Sequence, residues 1–154
     1  MYKHILVAID DSQTSRKALD EAVTLARLHG AKLEIVHAVD ELLVQAFTNH
    51  GVELSSARQL EKAMMASGEA LLDEAVETAS AQGLTASRRL LAEADVNTSD
   101  QITEAAERSG ADLLIVGSHG RRGFRRLLLG SVAENLLRKV NVSVLIVRGR
   151  HTEP

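Results

Sequence analysis

The chain has 154 residues, of which 45% are hydrophobic and 25% are charged, and its formal net charge is −3. This length suits one domain with its own core, and the weakly acidic balance gives no general attraction to nucleic acid or to an anionic membrane. Aromatic residues make up 2% of the chain, and tryptophan and cysteine are absent. The composition therefore argues against an aromatic platform for single-stranded nucleic acid and excludes a disulfide or a thiolate metal site.

The N-terminal stretch MYKHILVAIDDS carries a short apolar run before Asp10. A signal peptide needs a longer apolar region and a cleavage site, and no window of the chain reaches the length of a membrane-spanning helix. The single proline is the last residue, so nothing marks a linker between domains. We expect a cytoplasmic protein without membrane insertion, with one domain over 1–154 that comprises a core over about 1–149 and a tail over 150–154.

In chain order, the first third predicts two strands around one helix. KHILVAID is a continuous, β-branched apolar run, which is typical of a strand buried on both faces. Ser12 can cap the helix that follows, and the dipeptide HG at 29–30 can stop it. Its apolar residues recur at helical spacing, namely Ala18, Leu19, Ala22, Val23 and Ala26. KLEIVHAV predicts the second strand.

Residues 40–55 are ambiguous, with a turn marked by Asn49 and Gly51. A long helix is predicted from about Ser56 to Gln82, and Gly83 ends it. The positions predicted to share one face of this helix are Leu60, Met64, Leu71, Ala75 and Ala79. LTASRRLLA predicts a third strand, NTSDQITEAAERSG a capped helix, ADLLIVG the clearest buried strand, SVAENLLRKVN a short helix and VSVLIVRG a last strand.

Strands thus alternate with helices in the order β-α-β-α-β-α-β-α-β. This order predicts an α/β protein, with an open parallel sheet and helices on both faces. Ligands of such sheets bind outside the carboxyl ends of the strands. The ambiguous stretch 40–55 follows the second strand and is therefore expected at that edge.

Three glycines and a serine follow the most apolar strand with the spacing G-x2-G-x9-G-S, at Gly117, Gly120, Gly130 and Ser131. Glycine after a strand allows unusual backbone angles and the close approach of a ligand. Ser131 and Glu134 then match an S-x-x-E capping box at the start of a helix. Because a helix N-terminus presents free N–H groups and a partial positive charge, it favours phosphate. The stretch predicts either a phosphate cradle or an ordinary turn with a serine cap.

Charged residues between these glycines have two interpretations as well. The arginines are either charge partners of a phosphate or the solvated rim of a loop; they are Arg121, Arg122, Arg125 and Arg126. His119 can approach a phosphate or simply fill the turn. The six histidines show no metal-ligand spacing on one element.

Asp10 stands at the carboxyl end of the first predicted strand, where a carboxylate can accept hydrogen bonds from a ribose hydroxyl or a base amine, or help to hold a cation. We expect a functional role for Asp10 and a helix-capping role for Asp11 and Ser12. Neither G-x-x-x-x-G-K-[ST] nor an early G-x-G-x-x-G occurs, and no serine lies in G-x-S-x-G.

Taken together, these stretches resemble the ATP-binding branch of the universal stress protein family over nearly the whole chain. The resemblance rests on KHILVAIDDS, LEIVHAVD and ADLLIVGSHGRRGFRRLLLGSVAENLLRKVNVSVLIV, and on the complete match to the family motif G-x2-G-x9-G-[ST]. It implies a single-domain, open parallel five-stranded sheet in the order 3-2-1-4-5, with helices on both faces, similar to the fold of adenine nucleotide alpha hydrolases.

The resemblance also implies ATP as the ligand, with Mg2+ or Mn2+ bridging its phosphates. Asp10 would contact the adenosine, the backbone of Ala38 would hold the adenine, and Gly130 and Ser131 would donate to the phosphates. The full set of implied nucleotide-binding residues is Ala8, Ile9, Asp10, Ala38, Val39, Val116, Gly117, Ser118, His119, Gly120, Arg121, Gly130, Ser131 and Val132.

Family members commonly form homodimers in which the last strands pair antiparallel, which here implies a dimer, or a higher oligomer, through residues 142–148. An apolar edge strand without such a partner is a liability for aggregation. One departure is the stretch LLAEADVNTSDQI, which lacks the glycine and proline that relatives often carry after the third strand. A ligand contact there is not implied.

Three functions are compatible with these features. The first is a nucleotide-binding regulator of the stress response, in which ATP changes the dimer surface or the stretch 40–55 and an unknown protein partner reads the change. The second is a slow ATPase or self-phosphorylating enzyme, in which arginines stabilise developing charge. The third is an interaction module with an empty crevice, against which the intact motif argues. Nucleic acid is not an expected partner, given the acidic net charge.

Overall fold

The computed structural model describes residues 1–51, 53–120 and 129–149, with only the backbone of residue 47. Strands and helices alternate along the chain, apart from one place where two helices follow each other. The elements are β1 (His4–Ala8), α1 (Gln13–His29), β2 (Lys32–Ala38), α2 (Glu41–Asn49), α3 (Leu54–Ala81), β3 (Ala86–Leu91), α4 (Thr98–Ser109), β4 (Leu113–Gly117), α5 (Ser131–Lys139) and β5 (Ser143–Val147). The expected tail over 150–154 lies outside the described residues.

The five strands form one sheet in the order β3-β2-β1-β4-β5, and every neighbouring pair is parallel. In the register of the central strand, Ala8 lies opposite Val36 of β2 on one side and Val116 of β4 on the other. Parallel neighbours need a crossover, and each connection between them contains a helix. The predicted fold class and strand order are therefore confirmed.

Two apolar clusters lie on the two faces of the sheet. Alternate residues of a strand point to opposite faces, and in β1 the side chains of Ile5 and Val7 join one cluster whereas that of Leu6 joins the other. The first cluster is closed by α1 and α3, and the second by α4 and α5. Helices thus cover both faces, which is why the central strands are apolar throughout rather than alternating with polar residues.

Helices α1 and α4 begin and end as their sequences predict. Their N-caps are Ser12 and Asn97, whose side chains accept hydrogen bonds from the backbone three residues further on. Their C-caps are Gly30 and Gly110, which have φ angles of 64° and 69°. Glycine adopts this left-handed conformation without the strain that a β-carbon brings, so these two residues set the ends of the helices.

The ambiguous stretch 40–55 contains a helix, α2, followed by a turn at Gly51, whose φ is 82°, and then the start of α3. Helix α3 begins at Leu54, two residues earlier than the sequence predicts. Its buried face also differs from the predicted one: Leu60, Met64 and Leu71 are only half-buried, and the buried residues are Ala57, Gly68, Leu72, Ala75 and Ala79. The helix packs on β2 and β3 through small residues and Leu72, while Leu71 and Val76 are partly buried beside them.

Within the described ranges, no helix has both the length and the apolarity to cross a membrane.

Candidate functional site

The candidate site lies at the carboxyl ends of β1 and β4, the two neighbouring strands in the middle of the sheet. The chain leaves β1 into α1 on one face and leaves β4 towards α5 on the other. Because the two connections diverge, a crevice opens between them, and such switch points are where open parallel sheets bind ligands. Asp10 follows β1 and Gly117 ends β4, so both stand at this crevice.

Asp10 is half-buried and held in place by the first turn of α1. Its carboxylate accepts a hydrogen bond from the backbone N–H of Ser12 at 2.8 Å, and its own N–H donates to the hydroxyl of Ser15 at 2.7 Å. Ser12 is the helix N-cap, as expected, whereas Asp11 precedes the cap. One carboxylate oxygen of Asp10 therefore has a fixed direction, and the other faces the loop that follows β4.

The motif glycines are sites of close approach between parts of the protein. A β-carbon built at Gly117 would lie 3.0 Å from Oγ1 of Thr14 and 3.1 Å from the carbonyl carbon of Thr14. At Gly120 it would lie 2.9 Å from Oδ2 of Asp10. A side chain at Gly117 would require Thr14 to shift by a few tenths of an ångström, and one at Gly120 would require the Asp10 carboxylate to turn away. The first two glycines thus let the β4 loop pack against α1 and Asp10.

Gly130, near the end of the glycine motif, contacts the residues at the start of the motif. Its N–H donates to the carbonyl of Ser118 at 2.7 Å, and a β-carbon there would lie 3.1 Å from that oxygen and 3.8 Å from the backbone N of Gly120. The N–H of Ser118 in turn donates to Val147 of β5 at 2.8 Å. The glycine loop, defined here as residues 117–120, is therefore held between β5 and the start of α5.

Ser118 and His119 have different positions in this loop. Ser118 is 1% exposed, and its hydroxyl lies 2.9 Å from Nδ1 of His119. His119 is half-buried, and its carbonyl accepts hydrogen bonds from the hydroxyls of Ser12 and Thr14 at the start of α1. The burial of Ser118 makes its hydroxyl a structural group rather than a ligand contact.

The predicted capping box at Ser131 is wrong. Gly130 is the N-cap of α5 in extended conformation (φ −72°, ψ 159°), and Ser131 is the first helical residue. The carbonyl of Gly130 accepts the first helical bond, from Glu134 at 2.9 Å. The side chain of Glu134 pairs instead with Arg138 at 2.8 Å. The helix begins one residue early because the bond from Gly130 to Ser118 already sets the direction of the chain.

As a result, α5 has no side-chain cap. Ser131 and Val132 are exposed, and their N–H groups belong to the first turn, where no helical acceptor is available. In α1 and α4 the same end is capped by a side chain, whereas α3 also lacks such a cap. What distinguishes α5 is its position, because its N-terminus lies beside Gly120 at the crevice. The geometry suits an anion there.

The strand end of β2 supplies the other predicted contacts. Ala38 is half-buried and pairs with Leu91 of β3. Val39 is 1% exposed, its N–H donates to Leu91 at 2.8 Å, and its carbonyl accepts from Gln101 at 3.0 Å. The polar backbone groups of Val39 are thus used within the protein, which leaves it only an apolar packing role. Ala8, Ile9 and Val116 are the neighbouring strand ends.

Glu41 begins α2 directly after this strand end, and it is 7% exposed. Burial raises the pKa of its carboxyl group, and repulsion from Glu61 and Asp40 raises that pKa further. The sequence reasoning missed this group, because nothing in ELLVQAF distinguishes a buried glutamate from an ordinary residue in the first turn of a helix.

Three further residues that the sequence reasoning missed connect the site to the rest of the fold. Thr14 contacts the glycine loop and Ser15 holds Asp10. His37 bonds through Nδ1 to the carbonyl of Ile9 at 2.7 Å, and since a carbonyl only accepts, Nδ1 carries the proton. Hydroxyl residues in a first helical turn and a histidine in a strand are too common to mark a site.

Two pockets are lined by described residues, and they differ in their relation to the crevice. One of about 280 Å³ lies between β3 and α4 and contains none of the predicted site residues. The other, of about 220 Å³, lies between α1 and α3 and reaches Ile9 and Asp10. Asp10 therefore borders both this pocket and the crevice.

Four predicted charge partners, Arg121, Arg122, Arg125 and Arg126, lie outside the described residues. In the described part of the chain, no group of three histidine or carboxylate side chains has a geometry that could hold a metal ion. The residues present thus fit a polyphosphate, through the N–H groups of α5, better than a metal ion bound by the protein alone. A divalent cation would depend on the phosphates for most of its ligands.

Comparison with known proteins agrees with this arrangement. The sheet order and the glycine loop define a Rossmann-like α/β protein. The model of the universal stress protein family matches residues 1–148. The chain belongs to the universal stress protein family.

Individual relatives match along nearly their whole length. Universal stress protein YxiE of Bacillus subtilis is 32% identical over 151 residues, which cover 96% of this chain and 100% of the relative. The solved structure of MJ0577, a universal stress protein of Methanocaldococcus jannaschii, superposes with a TM-score of 0.82 at 25% identity and covers 99% of both chains. A universal stress protein in complex with cAMP superposes with a TM-score of 0.67 at 31% identity, and the match covers 97% of this chain and 98% of that one.

Proposed function

We propose that this protein binds an adenine nucleotide, ATP, at the crevice between β1 and β4 and acts as a nucleotide-dependent regulator in the stress response. The observation that carries the proposal is the uncapped, exposed N-terminus of α5 beside Gly120 and Asp10. The relative that was solved with cAMP supports an adenine nucleotide as the ligand class. We place this activity in the cytoplasm, which fractionation of cells would test.

The phosphates occupy the α5 end of the crevice in this proposal. The N–H groups of Ser131 and Val132 supply donors there, and the hydroxyl of Ser131 adds a third. An anion is also stabilised by the helix dipole within the first turn. Gly120 adds its backbone N–H, whose nitrogen lies close to Gly130, the N-cap of α5.

The adenosine occupies the β1 and β2 end. Asp10 keeps one carboxylate oxygen for a ribose hydroxyl, because its other oxygen is bonded to Ser12. Ala8, Ile9 and Ala38 form the apolar strand ends against which the base would pack. Mg2+ or Mn2+ would offset part of the phosphate charge, and the phosphates would supply most of the ligands of the cation. Hydrolysis and self-phosphorylation are not part of the proposal.

Replacement of Ser131 by proline tests the phosphate end directly. Proline is well tolerated at the first position of a helix, and the ψ of 159° at Gly130 suits a residue that precedes proline. The Ser131→Pro variant therefore loses an N–H donor and a hydroxyl without losing the helix. We expect its affinity for ATP, measured by titration calorimetry, to fall by about tenfold or more, the typical effect of removing a hydrogen bond to a charged group.

The matched control is Thr98→Pro, which makes the same change at the first position of α4. Its N-cap, Asn97, has nearly the same angles, φ −70° and ψ 159°. This variant should bind ATP as the wild type does, and Ser131→Ala should lie between the two because it loses the hydroxyl alone. The proposal fails if the wild-type protein binds neither ATP nor cAMP saturably, or if Ser131→Pro binds ATP with unchanged affinity.

We also propose that two chains form a homodimer through residues 142–148. Strand β5 pairs with β4 on one side only, and its residues Val144, Leu145, Ile146 and Val147 are half-buried in the single chain. An apolar edge strand of this kind is normally covered by a partner. Antiparallel pairing with a second β5 would cover it and would place the two crevices in one assembly.

A further inference from the structure

We propose that Thr14 is a positioning residue for the glycine loop, and that it directs the backbone N–H of Gly120 into the nucleotide crevice. The inference rests on the proposed function for its consequence in binding. The orientation of the loop, by contrast, is argued from contacts within the protein alone. Thr14 lies in the first turn of α1, on the opposite side of the loop from α5.

The hydroxyl of Thr14 donates a hydrogen bond to the carbonyl of His119, a residue 105 positions away in the chain. The hydroxyl of Ser12 lies 3.4 Å from the same carbonyl and 3.2 Å from the hydroxyl of Thr14. The Ser12 hydroxyl also accepts from the N–H of Ser15 as the helix cap. Thr14 is therefore the stronger of the two partners of this carbonyl.

Two glycines flank the Thr14 side chain on its other sides. A β-carbon at Gly117 would lie 3.0 Å from its Oγ1, and a β-carbon at Gly149 would lie 3.0 Å from its Cγ2. The absence of a β-carbon at both positions gives the Thr14 side chain the space that it occupies. The two glycines explain why Thr14 can reach the carbonyl at all, since a side chain at Gly117 would stand in its place.

The bond to the His119 carbonyl fixes the direction of the next N–H. The carbonyl of His119 and the N–H of Gly120 belong to one peptide unit, which is planar and trans, so the two groups point in opposite directions. Because the carbonyl points at α1, the N–H of Gly120 points away from α1, towards the side where α5 begins. The backbone N of Gly120 lies 3.8 Å from the position of a β-carbon at Gly130, so α5 begins close to this peptide unit.

The test compares Thr14→Val with Thr14→Ser. Valine keeps the methyl group and loses the hydroxyl, whereas serine keeps the hydroxyl and loses the methyl group. A control on the same helix is Thr24→Val, which removes an exposed hydroxyl bonded to the carbonyl of Asp20 at 2.9 Å. We expect ATP to bind Thr14→Val about threefold to tenfold more weakly, the usual effect of one lost hydrogen bond. Thr14→Ser and Thr24→Val should bind within about twofold of the wild type.

A second readout does not depend on nucleotide. The amide signal of Gly120 in a ¹H–¹⁵N spectrum of the ligand-free protein should move in Thr14→Val and stay near its wild-type position in Thr14→Ser. Equal ATP affinity of Thr14→Val and wild type would overturn the inference, and so would equal losses in Thr14→Val and Thr14→Ser. If the wild type binds no adenine nucleotide, the proposed function fails, and the position of the Gly120 signal alone decides whether Thr14 orients the loop.

Discussion

The carboxyl groups of Asp112, Asp100 and Glu41 have different surroundings, and these shift their pKa values in different directions. Burial disfavours the charge of Asp112, but the N–H groups of Lys3 and His4 donate to it at 2.8 and 3.1 Å and outweigh that effect, so the pKa of Asp112 is lowered. A hydrogen bond from Lys139 lowers the pKa of Asp100. Glu41 is the opposite case, because burial and two neighbouring carboxylates raise its pKa. Its charge destabilises the fold at neutral pH.

We expect Glu41→Gln to be more stable than the wild type at pH 7. A carboxyl group with a raised pKa in the folded state binds more protons there than in the unfolded chain, so the wild type loses stability as the pH rises through that window. The window begins near the ordinary value of 4.5 and ends above the raised pKa. The difference in the free energy of unfolding between Glu41→Gln and the wild type should thus be small at pH 4, grow as the pH rises, and then become constant.

Urea unfolding at a series of pH values measures this difference. Glu77→Gln, at an exposed position of α3, is the control, and its stability should follow that of the wild type. An advantage of Glu41→Gln that is the same at pH 4 and pH 7 would contradict the assignment to charge.

Among the elements, the packing of α3 on the sheet depends on one glycine. A β-carbon at Gly68 would lie 2.7 Å from Cδ1 of Leu90 and 2.8 Å from Cδ2 of His37. His37 has little freedom to move, because its ring is bonded to the carbonyl of Ile9 at 2.7 Å. Gly68 therefore sets the distance between α3 and β2, and through His37 it also affects the strand end that carries Asp10.

Gly68→Ala should lower the free energy of unfolding by about 1 kcal/mol. Overpacking costs about 1–3 kcal/mol, and the higher helix propensity of alanine returns about 1 kcal/mol of it. Ser67→Ala, at the exposed neighbouring position, isolates the propensity effect and should be neutral or slightly stabilising. Chemical denaturation of the wild type, Gly68→Ala and Ser67→Ala measures these differences. A Gly68→Ala variant more stable than the wild type would contradict the prediction and show that His37 and Leu90 move aside without loss of stability.

At the scale of the whole molecule, the two edges of the sheet are β3 and β5. In β5, the carbonyl of Val147 accepts from Ser118 and so points at β4. The N–H and C=O groups of one strand residue point to the same side, and that side alternates from one residue to the next. The backbone groups of Leu145 therefore also point at β4, whereas those of Val144 point out to the free edge. The proposed dimer would use the outward groups.

Val144→Pro should therefore convert the dimer to a monomer and leave the fold intact, because proline removes an N–H that only a partner chain would use. Leu145→Pro is the contrasting variant, since it removes a ladder bond to β4 and should unfold the protein or lower its stability by several kcal/mol, about 3 or more. Sedimentation velocity gives the mass, and circular dichroism gives the fold. A dimeric Val144→Pro, or a monomeric wild type, would contradict the proposed interface.

Local chemistry was sufficient to predict most of the architecture. Strand and helix periods, the cap at Ser12 and the stop at Gly30 depend on residues within a few positions of one another, which is why they can be read from the chain alone. The same holds for the position of Asp10 and of the glycine motif at strand ends. The start of α2 was missed, because its apolar residues fit more than one local structure.

The atoms that surround those residues are determined by tertiary contacts, which local sequence patterns do not show. Gly117 is a glycine because Thr14 fills the place of its side chain, and α5 begins at Ser131 because Gly130 is bonded to Ser118. The contact of Gly117 with Thr14 closes a loop of about a hundred residues, which leaves no trace in the sequence near either end. The hydrogen bond from Gly130 to Ser118 spans twelve positions, which is too far for a helix or tight-turn pattern to predict it. The local pattern therefore places the candidate site, and the tertiary contacts determine which backbone groups it has free for a ligand.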